Sequence, residues 1–93
     1  MIHKIKVDSD MYVKIKNRRR MVEIRPAFDR HFRVGDTLHY CEVNENGEYT
    51  GRSFKKAVIY VIEEAEGLEE GYALLAVIMK KGRTYIDKLP KDL

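Results

Sequence analysis

Ala57-Val58-Ile59-Tyr60-Val61-Ile62 and Tyr72-Ala73-Leu74-Leu75-Ala76-Val77-Ile78-Met79 are the stretches that decide how this chain folds. Each is a continuous apolar run of strand length, and the first is rich in β-branched residues, which favours a buried strand over a helix. Glu63 to Gly71 between them is an acidic connection with room for one helical turn. The two runs are therefore predicted to be neighbouring central strands of a single core.

Working upstream, Asn46-Gly47 is a hairpin signal, because both residues tolerate positive φ. It is preceded by a β-rich run from Thr37 to Val43 and by a Gly35-Asp36 turn. Gly51 suggests a bulge or a close backbone approach. Arg20 to Arg25 alternates, with Val22 and Ile24 on one side and Met21, Glu23 and Arg25 on the other. We assign Val22 and Ile24 to the core. Pro26 has no N–H to donate and ends this strand, and residues 27–34 read as a loop. Ile2 to Val7 alternates as well, with Lys4 and Lys6 on one side and His3, Ile5 and Val7 on the other. Asp8 or Ser9 can cap a short helix ending near Asn17, with Met11 and Ile15 on one face and Tyr12 beside them. Downstream, Lys80-Lys81-Gly82-Arg83 is predicted to turn the chain into a short Thr84 to Ile86 segment and a tail.

Closely spaced strands without βαβ alternation predict a mainly β (α+β) fold, a small antiparallel barrel with one short helix after the first strand. The domain is expected over residues 1–79, followed by a C-terminal hairpin or strand extension and tail over 80–93.

The whole chain has 93 residues and a formal net charge of +3. That length allows one small core and excludes multidomain mechanisms. The apolar runs are far shorter than the ~20 residues of a bilayer span, and the first residues, Met1 to Lys6, carry charge where a secretory leader would be apolar. A cytoplasmic location without membrane association is the expectation. Cys41 is the single cysteine, so an internal disulfide and a cysteine-based zinc site are both excluded. Charge is uneven. Residues 1–40 carry ten Lys/Arg and five Asp/Glu, whereas residues 41–93 carry eight and ten. The surplus gathers in Lys14, Lys16, Arg18, Arg19 and Arg20, then Arg25, Arg30 and Arg33. Clustered cations near phosphates gain from counterion release, so this half reads as facing a polyanion. The alternative is a solvated basic face.

Taken in order, His3-Lys4-Ile5-Lys6-Val7, Arg20-Met21-Val22-Glu23-Ile24-Arg25, Arg30-His31-Phe32-Arg33-Val34-Gly35-Asp36-Thr37-Leu38, Tyr49-Thr50-Gly51-Arg52 and Gly71-Tyr72 resemble a bacterial and phage family of ASCH-like domains of unknown function in the PUA-like superfamily. The resemblance covers about residues 2–79. It implies a PUA-like antiparallel β-barrel with a helix packed near its opening, and binding of RNA or of single modified nucleosides in a cleft beside that helix. Some small ASCH proteins hydrolyse the amide of acetylated cytidine, using a Lys and a Thr from the strand after the first helix and a distant Glu. The resemblance puts Arg20 and Glu23 at the first two positions. Arg holds its proton too tightly to act as a base, and Glu offers no hydroxyl nucleophile, so the hydrolase pattern is broken there. Arg18 stands where the family usually has Gly.

Glu23 and Arg25, two apart on a strand, share a face. In the functional reading, Arg25 contacts a phosphate or carbonyl oxygen in a forked geometry and Glu23 accepts from an amino group on a base edge. In the plain structural reading they form an ion pair. Lys4 and Lys6 are expected to line the same cleft, with Arg20 at its centre and Arg18, Arg19 and Arg52 as a rim of phosphate contacts. His3 reads as a satisfied histidine. Tyr49 and Arg52 flank Gly51 and can stack on a base, although Tyr49 reads more simply as filling the end of the barrel. His39 and Cys41 share a strand face but are too few for a zinc site. Ser53-Phe54-Lys55-Lys56 has the Ser-x-x-Lys form of acylating enzymes, but that chemistry needs one helix turn, whereas these residues open a strand.

The reading reached is a domain that binds RNA or a nucleotide-like ligand in a basic cleft through Lys4, Lys6, Arg20, Glu23 and Arg25, with no cofactor and no metal. The first alternative is an amidohydrolase of a modified nucleoside such as acetylated cytidine, with Glu23 as general base. The second is a phage or bacterial protein-interaction module with a protein partner.

Overall fold

The two apolar runs do pair with each other. In the computed structural model, which describes residues 1–80, the chain forms β1 (Ile2–Val7), α1 (Ser9–Lys16), β2 (Arg20–Pro26), β3 (Thr37–Val43), β4 (Tyr49–Ile62) and β5 (Tyr72–Met79). The strands make one five-stranded sheet in the order β1-β3-β4-β5-β2. The apolar runs thus hold interior places, and β1 and β2 are the edges. The expected Thr84 to Ile86 segment and the tail lie outside the described residues. No helix among the described residues is long and apolar enough to cross a membrane.

One face of the sheet carries the core. Ile5, Val7, Leu38, Tyr40, Val58, Leu75 and Val77 pack there in one cluster with Tyr12 and Ile15 of α1. Asp8 starts the helix by accepting the Met11 amide at 2.8 Å, the usual N-cap bond. Tyr12 and Ile15 are the buried pair of α1, while Met11 turns outward at 44% exposure. Tyr12 meets the Phe54 ring edge-on at 5.0 Å, and Phe54 stacks on Tyr40 at 5.0 Å. Such ring pairs add about 0.5–1.5 kcal/mol each beyond their buried area. The Asn44–Glu48 turn and a register shift opposite Glu42 set the β3–β4 hairpin. Gly51, at φ +96°, lies within that bulge.

Three expectations need correction. The sheet is mixed, not antiparallel throughout, because β1 pairs with β3 in parallel while the other pairings are antiparallel. The intervening α1 and β2 provide the long crossover that parallel neighbours need. Second, Val22 and Ile24 lie outside the core, at 59% and 56% exposure. Alternation puts the two sets of β2 residues on opposite faces, and the register with β5 chooses between them. Met21, Glu23 and Arg25 pair with the core residues Val77, Leu75 and Ala73. Third, Tyr49 is half exposed, so it does not fill an end of the sheet.

β2 lies three places from β3 in the sheet, about 14 Å away at ~4.8 Å per strand. Yet the Tyr40 hydroxyl donates to Glu23 Oε2 at 2.5 Å. The sheet therefore curls until side chains of β2 and β3 meet across its concave face.

Candidate nucleic-acid interface

Glu23 and Arg25 point into that concave face because they alternate with the outward Val22 and Ile24. Arg25 Nε donates to Glu23 Oε1 at 2.6 Å, and the Tyr40 hydroxyl takes the other carboxylate oxygen. The Glu23 side chain is only 9% exposed, against 27% for Arg25. Burial, and then the Glu23 charge, push the Tyr40 phenol far above its ordinary value, so it remains a donor. A charge this deep is tolerable because it is paired and hydrogen-bonded. Glu23 is thus a bracket that holds Arg25, whose side chain remains 27% exposed.

Lys56 of β4 lies on the same concave face and is fully buried. Its ammonium donates to the Arg18 carbonyl at 2.7 Å, tying β4 to the connection between α1 and β2. Burial pulls Lys56 down to about 8, with the Glu23 charge opposing that and Arg18 adding to it.

The edges β1 and β2 border a common cleft of about 380 Å³, lined by Lys4, Ile5, Lys6, Arg25, Pro26, Asp29, Arg30 and Phe32. Asp29, Arg30 and Phe32 of the 27–34 loop complete its lining between the two edges. Lys4, Lys6 and Arg25 of the expected set therefore line one cleft with Arg30, whereas Glu23 and Arg20 are not among its lining residues. Asp29 is the one carboxylate in the lining, with Arg30 Nε at 3.9 Å.

Other residues of the expected site go elsewhere. Arg20 is exposed and alternates with Glu23 to the opposite face of β2. Arg18 and Arg19 are exposed in sequence beside it, and their carbonyls serve Lys56 and the Met79 amide. Arg52 pairs with Glu42 at 3.1 Å and lies 4.6 Å over the Tyr12 ring, at the helix side of the sheet. His3 is buried and bonded to Asp36 at 2.8 Å, with the Phe32 ring 4.6 Å away. Ser53 and Lys56 fall on opposite faces of β4, as a strand requires at a spacing of three. His39 and Cys41 share the outer face, and among the described residues no group of three or more His, Cys, Asp or Glu is placed to hold a metal.

Tyr40, Lys56 and Phe32 were not foreseen as site residues, and Arg30 was foreseen only as part of the basic surplus. Phe54-Lys56-Val58 does alternate onto one face, which is the signal for a buried Lys56. It is hidden because Lys55 and Lys56 read as a charged pair. The bond of Tyr40 to Glu23 depends on the curl of the sheet, which leaves no local trace, whereas Arg30 meets its sequence neighbours Asp29 and Phe32.

A family model described as "Domain of unknown function (DUF3850)" matches residues 2–77. No curated protein matches the chain.

Proposed function

The chain belongs to the DUF3850 family of domains of unknown function, and within it we propose that this protein binds RNA or a nucleotide-like ligand in the basic cleft between β1 and β2. The observation that carries this reading is the convergence on one cleft of Lys4 and Lys6 from β1, Arg25 from β2 at the opposite end of the sheet, and Arg30 from the loop after β2. Phosphates are matched by the guanidinium forks and by the lysine ammoniums. Phe32 is buried in the core beneath the cleft, with the Arg30 guanidinium 5.9 Å over its ring, so it forms part of the floor on which Arg30 rests. In this reading the curled sheet is a PUA-like, ASCH-related barrel whose seam is the cleft. The Tyr40–Glu23 bond supports such a curl. Glu23 acts as a positioning residue that holds Arg25, not as the group that reads the base, because both of its oxygens already hold donors.

Titration with a nucleoside monophosphate and a short RNA tests this. Arg25→Ala is expected to weaken binding about tenfold and to reduce its salt dependence. Glu23→Gln, which keeps the shape but loses the charge that orients Arg25, is expected to weaken it less. Absence of binding to either ligand, or an affinity indifferent to salt, would sink the reading.

Amide hydrolysis on a modified nucleoside, with Glu23 as general base, is a second reading; it is disfavoured because both Glu23 oxygens hold donors and the nearby Lys56 amine is fully buried and bonded to the Arg18 carbonyl. Mass spectrometry of acetylated cytidine incubated with the protein separates the two. Turnover lost in Glu23→Gln would make the domain an enzyme.

A further inference from the structure

The outer face of β1, β3 and β4 carries a second set of cations. Lys4, His39 and Lys55 are register partners across the three strands, so they form one row. Lys6 stands in the next row, beside Cys41 and Ser53. Lys80 continues the row past Lys55: its amide donates to the Lys55 carbonyl at 2.9 Å and its ammonium to the Thr37 hydroxyl at 2.9 Å. Tyr49 is half exposed, with the Lys4 and Lys6 ammoniums 4.6 and 5.4 Å from its ring centre. These strands place no carboxylate on this face among the described residues. Glu42 of β3 faces the other way, held by Arg52 and Thr50.

The row ends in a second cleft. β4 is fourteen residues long, but its pairing with β5 stops at Lys56 opposite Met79. The overhanging part of β4 and the end of α1 enclose about 480 Å³, lined by Lys16, Asn17, Ser53, Lys55 and Lys80 together with Phe54 and Met79, and no carboxylate is among these residues.

We infer that this outer face is a track for single-stranded RNA, running from the cleft at β1 along Lys4, His39 and Lys55 to the cleft at Lys16 and Lys80. The inference rests on the nucleic-acid reading above and adds the form of the ligand, an extended strand and not an isolated nucleotide. Two clefts joined by a row of cations match a chain of phosphates, whereas a lone anion would need one of them. An exposed aromatic beside that row offers a base a stacking surface, as in other single-strand binders. Burial, then Lys55 and Lys4, hold His39 below the ordinary imidazole value. A phosphate seated between those lysines relieves their repulsion, so His39 reports on occupancy.

The test compares a nucleoside monophosphate with a single-stranded RNA of about ten nucleotides, in the wild type and in the Lys55→Ala, Lys80→Ala double variant. The expected result is that the RNA binds at least about tenfold tighter than the mononucleotide. The double variant should lose that advantage, with a salt slope lower by about 1.4 for two lost single-strand contacts, and should bind the mononucleotide as before. The His39 ring resonances should shift with RNA and titrate at higher pH. RNA binding no tighter than the mononucleotide, or unchanged in the double variant, overturns the track and leaves the cleft reading standing. Binding of neither ligand overturns both. Competition by polyglutamate equal to that by RNA also overturns the track, in favour of an acidic protein partner.

Discussion

Lys56 and Glu23 are the residues whose chemistry departs furthest from their local sequence. An amine in the core is costly unless paired, and here it is retained by one carbonyl and the nearby Glu23 charge. Its folded pKa of about 8 lies below the ordinary lysine value of 10.5. Between those values the unfolded chain binds more protons than the folded one, so the stability contributed through Lys56 rises with pH across that window. Urea unfolding between pH 8 and 10.5 is expected to show this rise, and Lys56→Met is expected to flatten it. A pH profile that Lys56→Met leaves unchanged would mean the amine is not strained by burial. The sequence showed Glu23 and Arg25 sharing a face, since two residues apart on a strand they must. It did not show Lys56 beside them, because a charged side chain in a strand ordinarily marks the solvent side.

At the level of elements, β5 is entered through a glycine for a steric reason. Gly71 sits at φ +86°, and a Cβ there would meet Phe28 Cε1 at 2.1 Å. The Gly71 carbonyl also accepts the Ala27 amide at 2.8 Å, fastening the end of β2 to the start of β5. Gly71→Ala therefore adds left-handed strain of about 1–2 kcal/mol and displaces the Phe28 ring from its edge-on contact with Tyr72. A loss of about that size in denaturant unfolding is expected, and Gly71→Ala in a Phe28→Ala background should recover the part due to the ring alone. Element boundaries were largely legible: Pro26, Gly35-Asp36 and Asn46-Gly47 each ended or turned a strand where a backbone donor or positive φ was at issue. The first half of β4 was less legible, because Arg52, Lys55 and Lys56 obscure its alternation.

For the whole molecule, β1 is one of the two edge strands and pairs on one side only. It is fastened through Asp36, which is bonded to His3, to the Arg33 amide and to the terminal ammonium of Met1. Burial pushes the Asp36 carboxyl up, but those three donors outweigh it and hold it below its ordinary 3.8. The stabilisation is therefore present above that value and is lost as pH falls through the lower folded pKa. Amide exchange in β1, read relative to β4 and β5, is expected to accelerate as the pH drops below 3.8. In Asp36→Asn, β1 should exchange faster already at neutral pH. Uniform protection of all five strands at low pH would show that β1 does not open separately.

Local chemistry alone determined which segments are strands, where they turn and which side chains share a face. Those properties depend on φ preference, missing donors and a period of two, all set within a few residues. It also concentrated the positive charge in the first half of the chain. Which face of β2 turns inward was decided only when β2 joined β5, since alternation separates two faces without ranking them. The meeting of Tyr40 with Glu23, and of Lys4 and Lys6 with Arg25, was decided by the sheet order and its curl. Those pairs are far apart along the chain, and the energy of bringing them together comes from the shared core beneath them, which no single segment contains.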